Sequence, residues 1–153
     1  MTNAAAAPTK AIVVEQVMPH ASEKIWRALT ESSLIDQWLM KNDFKPNVGH
    51  RFTFRAQPMG DWNGLVDCEV LEVSPHSRLR YRWRGGSSSQ NAVAAALDSV
   101  VTLTLTPAEG GTLVRMVQDG FRPENEMGYQ AMSGGWKRIV ARLAEVAGTA
   151  VDG

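Results

Sequence analysis

Residues 64–84 read GLVDCEVLEVSPHSRLRYRWR, and the alternation in this stretch decides the fold. Leu79, Tyr81 and Trp83 alternate with Arg78, Arg80, Arg82 and Arg84, a period of two that belongs to a strand with one dry and one wet face. Upstream, Val66, Cys68 and Val70 take the even positions of a strand read over residues 62–73, and Ser74-Pro75-His76-Ser77 turns the chain between the two. Antiparallel strands share a dry face only where opposed residues both belong to the apolar set. Pairing Ser74 with Ser77 then sets Val70 against Tyr81 and Cys68 against Trp83, with Glu69 facing Arg82 and Asp67 facing Arg84 on the other side. The four arginines form a solvated face that Asp67 and Glu69 answer.

The same arithmetic extends in both directions. Residues 51–55, RFTFR, place Phe52 and Phe54 on one face. Pairing Phe52 with Val66 across the turn at residues 57–61 sets Phe54 against Gly64. Residues 11–17, AIVVEQV, predict a strand ending before Pro19. A helix follows with Ser22 as its N-cap and Ile25, Trp26 and Leu29 on its apolar stripe. A second short helix starting at Ser32 or Ser33 carries Leu34, Ile35, Trp38 and Leu39. Downstream, GGSSSQN at 85–91 is a low-complexity loop, and residues 92–97 could serve as a mobile lid. Val101, Leu103 and Leu105 alternate with threonines, and after a turn at 107–111 a further strand reaches Gln118. There Leu113, Val114, Met116 and Val117 feed both faces and leave the inward parity open. Residues 127–147 predict a long helix with Tyr129, Met132, Trp136, Ile139, Val140 and Leu143 on one stripe. Gly134 and Gly135 inside it suggest close backbone packing or a kink. Residues 1–10 are expected as a disordered leader, 11–147 as a single domain and 148–153 as a tail.

At 153 residues, 44% hydrophobic and 21% charged, the chain suits one domain with a substantial core. Sixteen basic against sixteen acidic residues leave no net charge, which removes the phosphate-driven affinity of a nucleic-acid partner. A lone cysteine, Cys68, permits no internal disulfide and no CxxC motif, and suits a reducing, cytoplasmic setting. No apolar run approaches the roughly 20 residues of a membrane span, so a soluble protein is expected. His20, His50 and His76 form no HxH, HxxxH or HExxH spacing, so no metal site is expected. No GxSxG, GxGxxG or Walker A segment occurs either, leaving no catalytic motif and no cofactor. Cys68, on the apolar face, reads as a small core residue. Gln118 and Asp119 could offer a polar group at a strand end, and Tyr81, Trp83 and Trp136 suit either a filled core or the lining of a cavity.

Several segments in order carry a resemblance: PHASEKIWRALTESSLIDQW (19–38), PNVGHRFTF (46–54), GLVDCEVLEVSPHSRLRYRW (64–83), GGTLVRMVQDGF (110–121) and GGWKRIVARLAEV (134–146). Over about residues 11–147 the chain resembles the Hsp-ATPase-activator-homologue family of the START-like SRPBCC superfamily, alongside polyketide cyclases and birch-pollen-allergen-like proteins. The resemblance implies an α+β helix-grip fold, in which a first strand, two short helices and a meander of about six strands build a curved antiparallel sheet that wraps a long C-terminal helix. The family's recurrent positions, here Trp26, Trp38, Gly49, Trp83, Gly120 and Trp136, look mainly structural, and residues 85–97 depart from the commonest pattern. The superfamily resemblance also implies an apolar cavity between sheet and helix for a hydrophobic, lipid-like or aromatic molecule. Strand parity and helical spacing would line it with Phe52, Phe54, Val66, Cys68, Val70, Tyr81, Trp83, Met132 and Trp136. Two other functions compete: stimulation of a heat-shock-protein-90 ATPase as a chaperone-interaction module, and cyclase or aromatase chemistry in which a tyrosine or carboxylate such as Tyr81 or Asp119 moves protons.

Overall fold

A computed structural model of the chain describes residues 9–57, 64–85 and 97–149. Residues 1–8 of the leader expected over 1–10, the turn and strand start at 58–63, the loop and lid at 86–96 and residues 150–153 of the tail expected over 148–153 lie outside the described residues. Lys10, by contrast, belongs to the first strand and residues 148–149 to the last helix.

The elements run β1 (Lys10–Met18), α1 (Ser22–Thr30), α2 (Ser32–Trp38), β2 (Lys41–Asn42), β3 (Arg51–Arg55), β4 (Leu65–Ser74), β5 (Arg78–Gly85), β6 (Asp98–Ala108) and β7 (Gly111–Phe121). A 3-10 turn (Pro123–Asn125) then leads into α3 (Glu126–Thr149). The strands form one antiparallel sheet in the order β1-β7-β6-β5-β4-β3-β2. A meander from β2 to β7 is thus closed by β1 on the far side of β7. The helix-grip expectation holds: a first strand and a meander of six more, as anticipated.

Sequence parity maps directly onto burial. Leu79, Tyr81 and Trp83 on β5 are buried, as are Val101, Leu103 and Leu105 on β6 and Val114, Met116 and Gln118 on β7, so even positions point inward on β7. Leu113 and Val117 face outward, where they pair with the exposed Val17 and Val13 of β1. On the β4–β5 ladder, Val70 faces Tyr81, Cys68 faces Trp83, Glu69 faces Arg82 and Asp67 faces Arg84, as parity predicts. The turn differs: Ser74 pairs with Arg78, because a bulge between Val70 and Glu72 leaves Leu71 unpaired. The inward parity of β4 consequently switches from even to odd, and Val73 faces Leu79. The β3–β4 register also differs from expectation: Phe52 faces Cys68 and Phe54 faces Val66. A two-residue slip preserves which face is dry, so parity could not detect it.

The helices pack their apolar stripes on the inner face. Ile25, Trp26, Ala28 and Leu29 of α1 are buried, and the Trp38 indole N–H of α2 donates to the Ala28 carbonyl at 2.7 Å, locking the two helices. Ala21, not Ser22, is the N-cap of α1 and makes no side-chain cap bond. The Ser22 hydroxyl instead lies 3.3 Å from the Thr112 hydroxyl, tying α1 to β7. In α3, Trp136, Val140, Leu143, Val146 and Ala147 are buried while Tyr129, Met132 and Ile139 are half-buried, so the C-terminal half is the better covered. Among the described residues no helix is long and apolar enough to cross a membrane.

Gly134 and Gly135 are not explained by close packing, since a Cβ at either would meet nothing within 4 Å. The backbone entropy they retain is therefore available to a substitution. Gly134→Ala is expected to raise stability by about 0.5–1 kcal/mol, read as an upward shift of the urea midpoint at unchanged slope.

Candidate functional site

The concave face of β3, β4 and β5 carries one unbroken aromatic surface. Phe52 meets Phe54 at a centroid distance of 5.2 Å and Tyr81 at 5.5 Å. Phe54 then meets Trp83 at 5.3 Å, and Trp83 meets Trp136 from α3 at 5.7 Å. Most of these pairs are tilted or edge-on, the arrangement the ring quadrupole favours. Parity brings Val66, Cys68 and Val70 onto the same face, all buried, and helical spacing aims Trp136 back at it. Met132, one turn before Trp136 on the same stripe, is only half-buried. Of the nine residues anticipated as lining, the seven on β3–β5 and Trp136 are buried and Met132 is half-buried, and the Trp83–Trp136 ring contact joins the helix to the sheet face.

A buried polar chain runs beside the rings. The Trp136 indole N–H donates to Gln118 Oε1 at 2.7 Å, Gln118 Nε2 donates to Ser99 Oγ at 3.0 Å, and Ser99 Oγ donates to the Trp83 carbonyl at 3.0 Å. One donor stays outside the chain: Trp83 Nε1, buried and without a hydrogen-bond partner among the described residues. A buried unpaired N–H costs roughly 1–3 kcal/mol, and native proteins keep few of them.

The ionisable groups on this face are held neutral. Burial pushes the Cys68 thiol up, with Asp67 and Asp43 adding to the effect, and burial likewise pushes the Tyr81 phenol well above its ordinary value. Cys68 thus has the environment of an inert thiol rather than a nucleophile. Gln118 is committed to the polar chain, whereas Asp119 is exposed and directed to the opposite face from Tyr81. Tyr81 and Asp119, each named as a group that could move protons, thus stand on opposite faces of the sheet. The three histidines stand apart: His20 Nε2 lies 3.0 Å from the Ala144 carbonyl, His50 Nε2 lies 3.0 Å from the Asp43 carbonyl, and His76 meets the edge of Trp26.

The convex face is charged. Arg78 and Arg80 reach Glu72 at 3.6 and 3.9 Å, while Arg82 and Arg84 reach Asp98 at 3.1 and 3.7 Å. Glu69 pairs instead with Arg51 at 3.9 Å. The stripe is solvated as anticipated, but Glu72 and Asp98 answer it in place of Asp67 and Glu69. Two open grooves on this side, of about 400 and 550 Å³, are bordered by Arg51, Asp67 and Arg84 and by Arg80, Asp98 and Asp119.

Three contributors escaped the sequence reading. Phe44 packs on Phe52 at 5.1 Å from a segment with no periodic neighbours. Ser99 sits beside the alternating run of β6 and continues its inward parity two residues upstream of Val101, a signal that was present. Phe121 closes β7 against Tyr129 at 5.3 Å.

Among solved structures, protein MLL2253 from Mesorhizobium loti is 45% identical, with a TM-score of 0.81 over 93% of this chain and 100% of that one. DynU16, from the dynemicin biosynthetic locus, is 27% identical with a TM-score of 0.71 over 93% of this chain, which spans about half of it (48%). BH1534 from Bacillus halodurans, 24% identical, shares the fold with a TM-score of 0.71 over 90% of this chain and 96% of that one. No curated protein matches the sequence. The family model described as activator of Hsp90 ATPase homolog 1-like protein matches residues 19–148, and the anticipated helix-grip architecture is present across that span. The chain therefore belongs to the activator of Hsp90 ATPase homolog 1-like protein family.

Proposed function

We propose that the chain is a small cytoplasmic protein that binds a hydrophobic or lipid-like small molecule between the concave face of β3–β5 and α3, without catalysing a reaction. One observation carries the reading: an unbroken aromatic surface runs from Phe52 through Phe54 and Trp83 to Trp136 on α3, with the half-buried Met132 one turn earlier on that helix. Apolar walls with a few placed polar groups are how small-molecule sites hold their ligands. The neutral Cys68 and Tyr81, and an Asp119 exposed on the other face of the sheet, support binding over acid–base chemistry. The buried lone cysteine is compatible with a reducing compartment.

The test is a fluorescence titration with Nile red, a neutral apolar dye, against the wild type, Val70→Trp and Tyr81→Trp. Both substitutions add bulk at the floor of the surface. Saturable binding to the wild type, weakened at least about tenfold in either variant while circular dichroism shows a retained fold, is the expected result. A wild type that does not bind, or folded variants that bind equally well, would overturn the proposal.

A further inference from the structure

Within the binding reading above, on which it rests, the polar inventory of the concave face specifies what the ligand must carry. The Trp136 indole N–H already has its acceptor in Gln118, Gln118 Nε2 donates to Ser99 Oγ and Ser99 Oγ donates to the Trp83 carbonyl, so each of these groups has a partner. The Trp83 indole N–H, on a residue only 4% exposed, is left with nothing to donate to. An indole N–H can only donate. Its missing partner is therefore an acceptor.

The charge of that acceptor is restricted too. Among the described residues the buried polar side chains are those of Ser99, Thr112, Gln118 and Asn125, and no Lys, Arg or His is among them. A carboxylate or phosphate seated beside Trp83 would lose its hydration without gaining a countercharge, which the interior penalises heavily. The arginines of β5 face the opposite side of the sheet, paired with Glu72 and Asp98. The ionisable groups buried on the same face, Cys68 opposite Trp83 and Tyr81 two residues before it, are kept neutral by burial, so they offer a positive ligand no anion either. The flanking surfaces are ring faces and edges: Phe54 at 5.3 Å and Trp136 at 5.7 Å from Trp83. Flat apolar frameworks suit such walls.

We infer that the site takes an uncharged, flat, apolar molecule bearing a carbonyl-type oxygen, which accepts the hydrogen bond of Trp83 Nε1, in preference to a fatty-acid anion or a pure hydrocarbon. A single unmatched buried donor separates ligands that share a framework and differ at one atom, because the ligand lacking the acceptor leaves the N–H unpaired in the complex as well.

Three tricyclic probes of nearly one shape test this: 9-fluorenone, with a neutral carbonyl; fluorene, with none; and fluorene-9-carboxylate, with an anion. Isothermal titration is expected to show fluorenone binding about tenfold tighter than fluorene, and the carboxylate weakest. In Trp83→Phe, which retains an aromatic ring and removes the donor, the advantage of fluorenone over fluorene should fall below about twofold. Independently of any variant's folding, the Trp83 indole proton in a proton–nitrogen spectrum of the wild type should move downfield with fluorenone and not with fluorene. Equal binding of fluorene and fluorenone, tightest binding of the carboxylate, or an unmoved Trp83 indole resonance would overturn the ligand class while leaving the binding reading standing. Failure of all three probes to bind would likewise overturn the ligand class, whereas the binding reading falls only if Nile red fails as well.

Discussion

Trp136→Ala should lower the unfolding free energy by about 3–5 kcal/mol, the range for removing a large buried aromatic side chain. The residue is 2% exposed, lies against Trp83, and is placed by a helix stripe it shares with Val140 and Leu143. Two losses combine in this variant. The cavity left behind removes apolar burial, and Gln118 Oε1 loses the donor that approaches it at 2.7 Å. Because Gln118 is fully buried, its unpaired oxygen carries a desolvation cost of roughly 1–3 kcal/mol. The total should therefore lie at the upper end of the range. Trp136→Phe divides the two contributions, since a ring still fills most of the space while the donor is gone; a cost of about 1–3 kcal/mol is expected. Urea unfolding of both variants checks the account, and an unchanged midpoint in Trp136→Ala would show that the α3 stripe does not seat on the sheet.

Gly111→Ala is expected to cost about 3 kcal/mol, through backbone crowding rather than lost burial. Gly111 begins β7, where the β6–β7 hairpin passes beneath the end of β1. A Cβ at this position would overlap the Met18 carbonyl oxygen and lie 2.9 Å from Pro19 Cα. Both obstacles are backbone, so no rotamer change relieves them. The β1–β7 ladder, which pairs Met18 with Thr112, would have to open at its end. Gly110 supplies the internal comparison: its φ is +84°, but nothing stands within 4 Å of an added Cβ. Gly110→Ala should then cost only the left-handed backbone strain, about 1 kcal/mol. Equal midpoints for the two variants would mean that β1 does not approach the hairpin so closely.

The architecture was legible wherever alternation was clean. RLRYRWR places three side chains inward and four outward without ambiguity, and the four cross-strand pairs it implies with β4 are present. Detail was lost where parity has no purchase. The Leu71 bulge restores the register while moving the turn, and a slip of two residues between β3 and β4 leaves the same residues buried. Fold-level recognition supplied what local patterns lacked, namely which strands adjoin and which helix covers them. The lining of the proposed site was legible for the same reason as the core, because both ask for inward apolar residues. The polar chain was not, since burial of Gln118 depends on Trp136, eighteen positions away, and on Ser99 from the adjacent strand. Phe44 was missed because a single aromatic between Asp43 and Lys45 has no periodicity to reveal its direction.

A second apolar surface sharpens the question of location. On the convex face Val13 pairs with Val117 and Val17 with Leu113, leaving Val13 and Val17 about half exposed (48% and 50%). A greasy probe has two places to go, and affinity alone does not separate them. The decisive measurement is the set of intermolecular nuclear Overhauser contacts between bound Nile red and the methyl groups of the wild-type protein. Contacts to Val66, Val70 and Met132 are predicted, since only a molecule between sheet and α3 touches all three. Contacts confined to Val13, Val17 and Leu113 would place the ligand on the outside of the sheet and contradict the proposed site.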